Sequence, residues 1–146
     1  MKSKTTSYLL LCALFLSITP LSANYAFKKK VKDVCKSYRI VMESSQMNLE
    51  ENMIQVKMES GRNNFEMFML VGFASVGEAI SHQKEMNLSN SYTPNQVTVS
   101  VNVPISRGEY NTFIAKCNAN MAISLAQGQM DSSEFMQEIM KNMEIQ

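Results

Sequence analysis

Tryptophan is absent from this chain of 146 residues, histidine occurs once and glycine five times. With His82 alone there is no second imidazole to share a metal, and any nucleophile–base pair would have to be built on this one ring. Glycine-rich phosphate loops, clustered cysteine ligands and interleaved aromatic and basic patches are missing too. No catalytic residue, metal or cofactor is therefore assigned, and the chain reads as a binding protein rather than an enzyme. It also lacks a long apolar run, because Tyr8 to Ile18 falls well short of the about 20 residues that cross a bilayer.

What the first residues do have is the three-part pattern read by the export machinery. Lys2 and Lys4 are basic, the stretch from Tyr8 to Ile18 is apolar, and Pro20, Ser22 and Ala23 suit cleavage after Ala23, although Leu21 stands where a smaller residue is commoner. Cys12 follows Leu11 rather than a small residue, which argues against lipid modification. The expectation is a signal peptide over 1–23 and one periplasmic or secreted domain over 24–146, a length that can bury a modest core.

Removal of Lys2 and Lys4 leaves 12 basic against 13 acidic residues, a balance that speaks against nucleic-acid binding. The distribution is uneven. Lys28, Lys29, Lys30, Lys32, Lys36 and Arg39 face Asp33 alone between 24 and 39, and acid prevails afterwards. This is the pattern of a solvated helix side, with no membrane contact expected once the leader is gone. The other reading is a basic face for an acidic partner or membrane.

Cys35 and Cys117 are the two cysteines left after the leader, and in an oxidising compartment such a pair is expected to form a disulfide. Closing so long a span would contribute about 4 to 5 kcal/mol in the chain-entropy treatment.

Phe27, Val31, Val34, Cys35, Tyr38 and Val41 recur at helical spacing and predict a first amphipathic helix. Residues 44–62 fit either helix or strand. Phe65 through Met86 carry a long helical pattern that includes Gly72, Phe73 and Gly77, glycines whose place in a helix points to close approach of another backbone. A polar loop over 87–95 follows. Val97, Val99, Val101 and Val103 then alternate as in a half-buried strand, whose partner is expected near 54–58. After Pro104, the spacing of Ser106 and Glu109 around Gly108 is that of a capping box, predicting a helix that buries Tyr110, Phe113, Ile114 and Cys117. Asp131 and Glu134 repeat that device before a last helix with Phe135, Met136, Ile139, Met140 and Met143. The fold class expected is mainly α: about four helices, a short two-stranded hairpin or ribbon near 54–58 and 97–103, and one disulfide.

Other chemistry is weak. Glu78 and Glu85 are about two turns apart on one helix and read as solvated carboxylates. Met136, Met140 and Met143 share a helical face, which suits packing better than a Cu(I) site. The sequon at Asn87 matters only in a eukaryotic secretory pathway.

The segments V-G-F-A-S-V-G at 71–77 and V-N-V-P-I-S-R-G-E-Y at 101–110 resemble the Rap and Tai kind of periplasmic immunity protein, which protects bacteria from cell-wall amidases delivered by type VI secretion. Gly72, Phe73, Pro104, Ser106, Gly108 and Glu109 fall on that family's motif positions, with Glu109 in place of Gln and Gly77 one residue late; Leu70 and Asn102 stand where members often have cysteines. The resemblance implies an inhibitor that occludes a secreted toxin such as an amidase, with loop 87–95 a candidate contact. I-A-K-C-N-A-N around Cys117 and V-G-F-A at 71–74 are similar to HdeA-type acid-stress chaperones, which implies a second role, client holding.

Overall fold

The computed structural model describes residues 22–87 and 90–146. The expected leader lies almost wholly outside the described residues, as do two residues of the polar loop. Among those described are four α-helices and one five-stranded mixed sheet: α1 over 22–37, β1 Met47–Leu49, β2 Met53–Glu59, α2 Phe65–Met86, β3 Gln96–Ser106, β4 Glu109–Asn118, α3 Ala119–Ala126, α4 Ser132–Met140 and β5 Glu144–Ile145. The mainly α expectation is thus overturned.

The strands lie in the order β1-β2-β3-β4-β5. β2 and β3 are the pair that valine alternation predicted, Val56 opposite Val99 and Met58 opposite Val101, but they run parallel. A parallel pair cannot be closed by a hairpin and needs a crossover, which α2 supplies. The remaining neighbours are antiparallel.

The largest correction concerns β4, where the sequence predicted a helix. Ser106 and Glu109 do interact, Ser106 Oγ donating to Glu109 Oε2 at 2.8 Å, yet they close a two-residue hairpin in which Gly108 takes φ +76°. The same four-residue spacing serves a capping box and a tight turn. Past the turn, Phe113, Ala115 and Cys117 face Val101, Val99 and Val97 across the β3–β4 ladder.

Ile54, Val56, Met58, Val97, Val99, Val101 and Ala115 make the sheet's buried face, and α2 lies on it. α2 is buried on nearly every side because other helices flank it. Phe135 of α4 packs on Phe73 with ring centroids 5.1 Å apart, and Cys35 of α1 meets Ser75. The backbone of α3 crosses at Gly77, where an added Cβ would collide with the Ala122 carbonyl oxygen. At Gly72 an added Cβ would meet Val99 at 2.8 Å and the Met58 sulfur at 2.9 Å.

The disulfide is also corrected: Cys35 and Cys117 are free thiols. α2 stands between them. Ser75, which touches Cys35, and Gly77, which abuts Ala122 beside Cys117, are two residues apart and so project from roughly opposite sides of a helix that turns about 100° per residue. Both cysteines point inward, as predicted, into different halves of the core.

Gly77→Ala should lower stability by about 3 kcal/mol in a urea melt, since no rotamer can relieve a clash with a carbonyl. Gly108→Ala, with open space around its Cβ and only its left-handed φ against it, should cost about 1 kcal/mol.

Candidate binding surface

The motif positions from sequence do not converge. Gly72, Phe73 and Gly77 are buried in α2 as packing residues, whereas Pro104, Ser106, Gly108 and Glu109 form the end of the β3–β4 hairpin. His82 is half-buried on α2, and its ring joins no hydrogen bond with another described residue. Glu78 lies 4.0 Å from Lys30, and Glu85 is exposed elsewhere on the helix. Met136 is in the core while Met140 faces solvent, so the methionines share no common site. No group of three or more potential metal-ligating side chains occurs among the described residues.

The described residues 90–95 of the polar loop are held to the body of the protein through Tyr92. The Tyr92 hydroxyl donates to the carbonyls of Glu50 at 2.6 Å and Met53 at 3.1 Å, and its ring meets Phe27 edge-on. Gln83, a buried residue, accepts from the Tyr92 amide and donates to the Ala23 carbonyl, tying this loop to both α1 and α2. Burial, with the nearby Glu50 carboxylate, pushes the Tyr92 phenol up to about 12.

The opposite end of the molecule is different. Pairing of β2 with β3 stops at Glu59 and Asn102, and Gln146, the last residue to pair along the outer side of β4, bonds Thr112. Residues 103–111 therefore extend beyond the sheet as a two-stranded finger whose outer edges pair with no other described strand. Ile105 is 50% and Tyr110 58% exposed on it, and Arg107 sits at its turn. The loop after β2 at this same end carries Arg62. α1 runs antiparallel to α2, Ala23 meeting Gln83 and Cys35 meeting Ser75, so its final turn also points toward this end. There Arg39 adopts φ +61° and stops the helix.

Arg62 and Arg107 thus lie in loops at one end of the sheet, where Tyr110, Ile105 and Met67 are exposed. Sequence reasoning missed this group because it expected Tyr110 inside a helix. The signal that could have found it is the turn chemistry at 107–108, which would have put Arg107 in a loop. The sheet face turned away from α2 carries Gln55, Lys57, Thr98, Ser100, Ile114 and Lys116 around a shallow depression of about 280 Å³, and no described helix covers it.

The architecture is a mixed sheet with helices on one face and a projecting hairpin. No family model matches the chain, and neither does any curated protein or solved structure.

Burial pushes the Cys117 thiol up to about 12, offset slightly by a hydrogen bond from the Ala122 backbone, and raises the Cys35 thiol as well. Because the thiolate is the reactive form, iodoacetamide at pH 8 should leave both unlabelled in the folded protein, and denaturant without reductant should expose both. Raised thiol and phenol values mean that the folded state holds its protons more tightly than the unfolded chain. That stability is fully present below about pH 9 and is lost as pH rises toward 12, which pH-dependent urea melts would follow.

Proposed function

We propose that the protein is an exported, non-enzymatic binding protein that holds a protein partner at its arginine-bearing end, and that it serves as an immunity or inhibitor protein occluding a secreted toxin. The observation that carries this reading is the projecting β3–β4 hairpin, on which Arg107 sits at the turn with Ile105 and Tyr110 exposed, at the same end of the sheet as Arg62 and exposed Met67. Arginine, tyrosine and methionine are enriched in protein interfaces and lysine is depleted, and here the lysines lie mainly elsewhere, on the side of α1. The finger adds a second feature. A strand edge left unpaired is a template for association, and covering it with a partner is one way to satisfy it. Pro104 and the register shift between Pro104 and Ser106 interrupt simple edge-to-edge pairing of two copies, which leaves side-chain docking as the use of this hairpin.

The test is to express a hydrolase encoded beside this protein's gene in the periplasm, with wild-type protein or with the Arg107→Glu/Tyr110→Ala variant. The wild type should restore growth and the variant should not. Purified variant should melt within a few degrees of wild type and bind the hydrolase at least about 30-fold more weakly, the effect of losing an interface hot spot. Rescue by both proteins would move the contact elsewhere, and rescue by neither would remove the immunity role.

A further inference from the structure

We propose that the lysine-bearing face of α1, together with the segment at 40–42, is a docking site for an anionic phospholipid surface. It is separate from the end of the sheet that carries Arg62 and Arg107 and independent of the partner held there.

Phe27, Val31 and Cys35 mark the buried side of α1, and Tyr25, Lys29, Lys32 and Lys36 lie on the other. Tyr25 and Lys36 are eleven residues apart, so this outward face runs about 16 Å along the helix. Lys28 and Lys32 lean from its side onto Ser44, one donating to the carbonyl at 3.2 Å and the other to the hydroxyl at 3.3 Å. Between α1 and the returning chain lies a groove of about 330 Å³, with Ile40 and Met42 at its floor and Lys32, Asp33, Lys36 and Val41 around it.

The sequence reads these lysines as an ordinary solvated helix side and, separately, places Val41 in the buried stripe. The structure reverses that placement. α1 ends at 37 and Arg39 turns the chain back, so Ile40 and Met42 go inward while Val41 is left 81% exposed beside the lysines. Tyr25 is 70% exposed on the same face. Cations interleaved with a projecting aliphatic side chain and a tyrosine are what an interfacial helix presents to anionic headgroups, the apolar groups entering the headgroup boundary. The acids nearby are few. Asp33 is paired with Lys29 at 2.8 Å, Glu78 of α2 faces Lys30 at 4.0 Å, and Glu43 is engaged with the turn at Ser44–Gln46. Lys32 and Lys36 form no ion pair with a described acidic residue.

The experiment is co-sedimentation of the exported protein with vesicles of phosphatidylcholine alone or with one quarter phosphatidylglycerol, at 0.1 M salt. Binding should require phosphatidylglycerol and should fall steeply by 0.5 M salt, where screening is far stronger. Lys32→Glu/Lys36→Glu should reduce partitioning at least about tenfold, and Val41→Ser about threefold. Lys84→Glu/Lys141→Glu, the same charge change elsewhere, should alter it less than about twofold. Equal binding to both vesicle types would overturn the proposal. So would capture of soluble polyglutamate by a protein that ignores the vesicles, which would make the face a site for acidic polypeptide. Circular dichroism of each variant checks that a loss is not unfolding.

Discussion

The close contact of α2 with its neighbours at Gly72 and Gly77 is the constraint on which the rest of the structure depends. A helix can lie this near a strand and another helix only where it has no side chain, and the two glycines are five residues apart, directed at the sheet and at α3. α2 is also the crossover between β2 and β3, so its depth over Met58 and Val99 helps to fix the register of the parallel pair. From that placement follow the Phe73–Phe135 contact that seats α4 and the Ser75 contact that seats α1. It also keeps Cys35 and Cys117 on different sides of a filled core. A disulfide would have to pass through α2.

What could be read from the sequence was what local pattern decides. The 22-residue helix was legible because its apolar residues keep helical spacing with glycines placed for contact, and β3 was legible because four valines alternate. β4 was not. Tyr110, Phe113, Ile114 and Cys117 have helical spacing, and the Ser106–Glu109 pair imitates a cap, so two local signals agreed on the wrong element. Composition spoke against them, since Tyr-Asn-Thr-Phe-Ile is a poor helix former and a good strand former. β1 and β5, three residues and two, are too short for periodicity and exist because neighbouring strands offer them hydrogen bonds.

Misreading β4 carried over into the surface. If residues 109–117 were helical, Tyr110 would be core and Arg107 a residue of the helix's first turn. As a hairpin, the same residues project beyond the sheet, and the side chains assigned to the interior become the exposed ones. The end of α1 repeats this at smaller scale: one residue in the left-handed region, Arg39, exchanges the roles of Val41 and its neighbours Ile40 and Met42. In both places periodicity found apolar residues correctly but could not say where the element carrying them stops.

The two basic regions differ in chemistry as well as position. Lysine is a strongly hydrated point charge on a flexible stem, suited to a fluid surface whose charges need no fixed geometry, while the planar arginine fork gains most where acceptors are held in place. Five lysines lie along α1, and two of the three arginines, Arg62 and Arg107, lie in loops at the end where β2 and β3 finish. The loops at that end are fixed by the sheet: Arg62 follows β2 closely, and Arg107 sits in a turn closed by the Ser106–Glu109 bond. Arginines set on such supports are preorganised for a partner of defined shape, whereas the lysines of α1 keep the freedom that a lipid surface tolerates. The uneven charge along the chain therefore divides into two surfaces with different demands, and the fold keeps them apart because the lysines run along the outer flank of α1 while the hairpin extends past the end of the sheet.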